Sequence, residues 1–284
     1  MSKLFVSTFF RMLEKIVFWI LLICMFCYGV YSASNTASEA SAGFALDGCF
    51  FEFAPFMGLV AAILTSLFIG SEYSDGTIRN KLVVGHSRMR IYLANLIVCS
   101  IACVLISLAY VAGVIIVGSS KGGELLTETN VVSMYLICSI SVSITFTSVM
   151  TMLAMLNTNK AGNVVVSMIL ALVLLVSSSY IYQRLGEPEM YDNYVSVNEV
   201  GIPTQVEQRP NPLYIDGTSR TAFEIFNDLL PSGQAMQLAD AFDSGGIANK
   251  DIEKAPYRWL GYSLLVIILT SGLGIALFRK KEIR

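Results

Sequence analysis

Six long apolar runs separated by short polar stretches set the plan of this chain. Ahead of the first, Leu4, Phe5, Phe9, Met12 and Leu13 recur at helical spacing against Lys3, Arg11, Glu14 and Lys15. That pattern predicts an amphipathic helix lying in a membrane interface over residues 1–15. The runs predict spans over Ile16 to about Tyr31, Phe50 to Gly70, Ile91 to Gly118, Val131 to Leu156, Ala161 to Tyr182 and Leu260 to Phe278. The first is short against the roughly 20 residues a bilayer needs. Its basic start and the trailing Ala40-Ser41-Ala42 also follow the order of a cleaved leader. We read it as a span, joined to the second by a small-residue linker from Ser32 to Gly48. Polar stretches at Lys121 to Asn130 and Asn157 to Lys160 read as turns on either side of the fourth span.

Between the second and third runs lies a charged island over residues 71–90, and in so apolar a chain it must sit at a membrane surface. Ser74-Asp75-Gly76 is a breaker cluster, since Gly admits positive φ and Asp bonds nearby amides. Thr77 can cap a short helix in which Ile78, Leu82 and Val83 share a face while Arg79, Asn80 and Lys81 point elsewhere. Ser87-Arg88 then opens the next span.

The order Glu72-x-x-x-Gly76-Thr77-Ile78-Arg79, followed by Leu82 and Ser87-Arg88, resembles the cytoplasmic loop after the second span in permease subunits of the type-2 ABC exporter family. In that family the loop forms a coupling helix that docks on a separate ATPase. The resemblance extends loosely to the span plan and not to the large segment between spans five and six. It implies ATPase-docking roles for Glu72, Asp75, Gly76, Thr77, Ile78, Arg79, Leu82 and Arg88, with Glu72 and Arg79 in polar contact and Ile78 and Leu82 filling an apolar groove. It further implies a dimer with a second copy or a related permease.

Composition agrees with a membrane protein: 55% of residues are hydrophobic, 14% are charged, and the mean hydropathy is +0.64. The expected fold is therefore an all-α polytopic membrane protein of six spans. Laid on that plan, twelve of the nineteen Lys and Arg share one side with only four of the twenty-one acids. By the positive-inside rule that side is cytoplasmic and holds both termini, at the cell membrane. Tyr28, Tyr31, Tyr180, Tyr182, Tyr257, Trp259 and Tyr262 then gather at outer span ends as an aromatic belt. Five of the six cysteines lie in apolar runs, which predicts small hydrophobes rather than a disulfide framework. Cys24-x-x-Cys27 sits within a span and reads the same way.

Residues 183–257 form the predicted extracellular subdomain, and 258–284 the last span with its basic tail. Thr221-x-x-Glu224 reads as a capping box ahead of Phe223, Phe226, Leu229 and Leu230, four apolar groups predicted to share one helix face. Pro231-Ser232-Gly233 reads as a hinge before a second amphipathic piece, Gln234 to Phe242, ending near Gly245-Gly246. The four apolar residues are gate candidates beside the mouth of the bundle, with a plain cap as the alternative.

Span centres carry no Asp, Glu, Lys, Arg or His, the usual holders of a driving proton or sodium ion. No Gly-x-x-x-x-Gly-Lys-Ser/Thr loop is present, so the chain has no phosphate loop of its own. His86 is the only histidine, which excludes a His-Glu-x-x-His metal site. No catalytic and no metal residues are expected, and nothing points to nucleic acid. The expected function is a non-enzymatic permease subunit of an ATP-driven exporter. It binds no cofactor itself, and ATP and Mg sit on the partner. The alternative is a membrane-anchored sensor or assembly or immunity factor whose extracellular subdomain binds a ligand or protein.

Overall fold

The computed structural model describes residues 2–39, 46–197, 203–242 and 255–281. An interfacial helix α1 (Ser2–Leu13) leads into α2 (Ile16–Glu39). Then follow α3 (Met57–Ser74), the short α4 (Thr77–Val83), α5 (Arg88–Ser120), α6 (Thr129–Leu156) and α7 (Lys160–Gly186). A hairpin of β1 (Met190–Val197) and β2 (Pro203–Pro210) precedes α8 (Gly217–Leu229), α9 (Pro231–Asp240) and α10 (Ala255–Lys280). Six of these helices are long and apolar enough to cross a membrane, and the protein is an all-α polytopic membrane protein.

The first span is longer than its apolar run. Ser32 to Glu39, expected as linker, continues α2, because nothing there breaks a helix and Thr36 satisfies itself on Ser32 O at 3.1 Å. Ser32 Oγ in turn donates to Glu52 Oε2 at 2.7 Å, tying this extension to the approach of α3. The rest of that linker, residues 40–45, lies outside the described residues.

Helix α2 runs along α5, and two glycines set the approach. A Cβ on Gly29 would stand 2.3 Å from Tyr110 O, and one on Gly113 2.5 Å from Phe26 O. With lipid as apolar as the side chains, close backbone contact is what holds such a pair together. Helix α3 is the centre of the bundle, between α6 and α7. The hydroxyls of α6 serve its packing: Ser143, Thr145 and Thr147 turn back onto carbonyls four residues earlier, and Ser148 reaches Thr270 Oγ1 of α10 at 2.6 Å.

Both termini of the bundle, α1 and α4 lie at one end, here called the basic end. The hairpin, α8 and α9 lie at the other. There Phe51, Tyr135, Phe242 and Trp259 interlock, with centroids 5.4 Å apart for Phe51 and Phe242, 4.9 Å for Tyr135 and Phe242, and 6.0 Å for Tyr135 and Trp259. Trp259 is thus buried in the bundle and is no belt residue, whereas Tyr31, Tyr180 and Tyr257 are exposed. All six cysteines are free.

The segment after α7 differs from its sequence reading in three ways. The antiparallel hairpin, registered from Met190 opposite Pro210 to Val197 opposite Pro203, was not anticipated. Helix α8 starts four residues ahead of Thr221, capped by Asp216, whose carboxylate accepts from Gly217 N; Thr221 Oγ1 merely donates to Gly217 O. Pro231 opens α9 at its first turn, where a missing N–H does no harm, so Ser232 and Gly233 are helical and buried. The predicted end at Gly245-Gly246 lies outside the described residues.

Candidate functional site

At the basic end the chain turns from α3 to α4 through Gly76, whose φ of 68° no L side chain favours. Thr77 is not the helix cap expected of it. Its hydroxyl donates backwards to Glu72 O at 2.9 Å, closing the end of α3. Helix α4 ends in a Schellman motif: Gly85, with φ 93°, donates to Leu82 O at 3.0 Å and His86 N to Lys81 O at 3.1 Å. Ser87 Oγ accepts from Arg90 N at 3.4 Å and caps α5. A seven-residue helix too short to hold itself is thereby fixed at both ends.

The site's centre is Glu72. Its side chain has no solvent exposure, and its carboxylate receives Lys81 Nζ at 2.7 and 2.9 Å and Arg11 Nη1 at 3.1 Å. Lys81 Nζ also donates to Thr8 Oγ1 at 3.2 Å. One carboxylate therefore joins α1, α3 and α4, where two cations on a single buried anion leave a positive excess. Burial holds the Lys81 ammonium below its ordinary value, opposed by the pull of Glu72. At the edge of the site Lys15 Nζ lies 3.8 Å from Asp75 Oδ2, a pair open to water.

This geometry corrects the direct-contact roles expected of Glu72 and Ile78. Glu72 is sealed in, and Ile78, 1% exposed, faces the core, so neither offers surface to a partner. Leu82 is half-buried against the same core. Arg88 is spent on α10: Nη1 donates to Phe278 O at 3.0 Å and to Lys281 O, with the guanidinium 5.9 Å from the Phe278 ring centroid. It neutralises the exposed carbonyls at that helix end. Arg79, Asn80 and Asp75 do face outward, joined by Val83 and Val84 at 80% and 77% exposure. Helical phase puts Val83 on the face of Ile78 and Leu82 and leaves Val84 unassigned; Gly85, which ends the helix just beyond them, is the available signal. Between α1 and α4 runs a groove of about 290 Å³ bearing Lys3, Arg11, Asn80, Lys81, Val84 and His86.

Beside it a second knot joins three span ends. Met155 O, at the end of α6, accepts from Tyr73 Oη at 2.6 Å and from Lys281 Nζ at 2.9 Å. Lys281 Nζ also reaches Tyr73 Oη at 3.1 Å and stands 4.4 Å from that ring's centroid. Burial, then the charge of Arg88, lowers the Lys281 amine to about 8.

The gate candidates are placed differently from their expected common face. Phe226 is 58% exposed, Phe223, Leu229 and Leu230 are half-buried, and Leu230 is the elbow between α8 and α9. What α8 turns inward is Asn227 and Asp228. Asp228 accepts from Arg258 Nη2 at 2.6 Å, Gln237 Nε2 at 3.2 Å and Trp259 Nε1 at 3.3 Å. Gln234 extends the network, donating to Asp228 O at 2.6 Å and accepting from Ser263 Oγ at 2.7 Å, while Ser232 meets Ser178 at 2.6 Å. Polar groups, which apolar periodicity cannot flag, thus hold α8 and α9 to α7 and α10.

Among the described residues no cluster of His, Cys, Asp or Glu could hold a metal. No curated protein matches the chain. A family model described as ABC-2 family transporter protein matches residues 1–178, which take in α1 to α6, most of α7 and the whole Glu72 site. The chain therefore belongs to the ABC-2 transporter family and is a multi-pass membrane permease component of an ABC transporter.

Proposed function

We propose that this chain is the permease subunit of an ATP-driven exporter, with both termini cytoplasmic, and that its ATPase seats on the joint surface of α1 and α4. The observation that carries the reading is the buried Glu72 carboxylate bound to Arg11 and Lys81, which makes one stiff body of α1, α4 and the end of α3. Force applied to α4 then moves the central span α3 and does not bend a loop. Membership of the ABC-2 family supplies the expectation of an ATPase partner. The excess of Lys and Arg at the α4 end supports a cytoplasmic placement for it.

In this reading Val83 and Val84 enter an apolar cleft of the ATPase while Arg79, Asn80 and Asp75 contact its rim. Gly76, Thr77 and Leu82 set the helix at the right angle, and Glu72, Ile78 and Arg88 act from beneath. ATP and Mg bind the partner, and the transport route forms with a second copy or a related permease. The hairpin, α8 and α9 constitute an extracellular lid over that route, held by Asp228 and not by an apolar face. The direct test is co-purification of the chain with an ABC ATPase from the cells that make it. Loss of the complex in a folded Val83→Asp, Val84→Asp double variant is expected, and an intact complex would place docking elsewhere.

A further inference from the structure

An apolar pocket of about 570 Å³ opens at the hairpin end between α7, α9 and the turn that precedes α3. Phe56, Val176, Tyr180 and Met236 form its walls, with Ser179 and Gln183 as polar members. Phe56, Val176 and Tyr180 are exposed, so the pocket opens sideways, where a span meets lipid. Its size falls in the range of small-molecule sites. The α7 wall runs through Val176 and Tyr180 at a spacing of four, and the next residue on that strip, one turn nearer the helix end, is Arg184.

Arg184 is the second, independent observation. Among the described residues its Nε and Nη1 are buried and have no hydrogen-bond partner. The carboxylate three residues on, Glu187, is engaged elsewhere, accepting from Tyr191 Oη at 2.7 Å and Asn211 Nδ2 at 2.9 Å. Those bonds hold its carboxyl below the usual value, with Arg184 contributing only as a more distant charge. The neighbouring Arg220 is satisfied by Leu185 O and Glu224. Arg184 is half-buried, and a guanidinium with two unpaired donors among the described residues can take an anion. Arg184 stands two residues from the end of its span, where a long cationic side chain reaches toward the head-group region.

We propose that the pocket and Arg184 together bind an acidic phospholipid from the leaflet at the hairpin end, with an acyl chain in the apolar pocket and the phosphate accepting from the guanidinium. A zwitterionic lipid would bring its own cation toward Arg184, so charge complementarity selects the acidic head group. The site is independent of which face of the membrane is cytoplasmic and of how the ATPase docks.

Native mass spectrometry of the full chain, released from nanodiscs holding phosphatidylglycerol and phosphatidylcholine in equal amounts, tests this. The wild-type chain is expected to retain phosphatidylglycerol with roughly tenfold preference, about the worth of one charge-assisted hydrogen bond. Arg184→Gln should lose the preference while still carrying lipid, and Ser179→Trp, which fills the pocket, should lose bound lipid of both kinds. An unchanged preference in Arg184→Gln overturns the proposal, as does wild-type lipid retention by Ser179→Trp. A second copy of the chain seated here would show as a disulfide-linked dimer of Val176→Cys in the membrane, and that result also overturns it.

Discussion

Lys81 grips both oxygens of Glu72, at 2.7 and 2.9 Å, from the far side of a glycine turn and inside a site where the carboxylate meets no water. The pair lies nine residues apart in the chain, so it closes the α3–α4 turn as a clamp. Arg11 completes the clamp from α1. Removing the anion strands two partly buried cations, and removing one partner of a buried pair typically costs on the order of 3–5 kcal/mol. Glu72→Ala should therefore lower unfolding stability in detergent by about that amount and release α1 to protease. Glu72→Ala with Lys81→Met should recover part of the loss, and strict additivity of the two changes would show that the pair is not coupled.

Docking and folding separate at α4. Val83→Asp and Val84→Asp alter exposed positions and should leave stability within about 0.5 kcal/mol of wild type while abolishing co-purification of the ATPase. Ile78→Asp places a charge in the core and should prevent folding. Leu82→Asp is a mixed case, because half of that side chain already supports the bundle. A Val84→Asp variant that holds its ATPase as wild type does would rule out the valine surface.

Orientation is open to thiol labelling of intact cells. Leu213, 47% exposed at the hairpin end, and Asn80, exposed at the basic end, are suited to it. Asn211 is not, since it is buried and its amide bonds Glu187 and Pro188. Leu213→Cys should react with an impermeant maleimide from outside and Asn80→Cys should not; the reverse pattern would invert the protein.

Lys281 carries a pH dependence of definite sign. Its folded value of about 8 lies below that of an unfolded lysine, so from about pH 8 to 10.5 the unfolded chain binds a proton that the folded one lacks. On this group alone, stability rises with pH across that window and is flat below it. The thermal midpoint of the wild type should accordingly gain on that of Lys281→Met as pH climbs from 8 to 10. Parallel curves would mean that the amine titrates normally.

At the hairpin end the polar residue and not the aromatic one should matter. Phe226→Ala removes a largely exposed ring and should change stability by less than about 0.5 kcal/mol. Asp228→Ala deprives the buried Trp259 donor of its acceptor, at about 1–3 kcal/mol, and the half-buried Gln237 amide of its own. Limited proteolysis should then cut α8 first, with the ATPase complex still assembled. Equal resistance of the two variants would count against Asp228 as the fastening.

The span plan, the interfacial helix at the start and the turn at Gly76 were legible in the amino-acid order alone. Apolar run length and the need for positive φ are local properties, and a bilayer leaves a long apolar segment little choice but to form a helix. The extension of α2 to Glu39 and the hairpin escaped that reading, because small polar residues and short strands carry little local signal. Which face each helix buries was decided only by its neighbours. Glu72 reads as surface charge until Arg11 and Lys81 arrive from other elements to balance it, and Phe226 reads as core until Asp228 finds Trp259 on α10. An apolar stripe states that a face avoids water. In a membrane lipid satisfies that demand as well as protein does, so there the polar partners settle the packing.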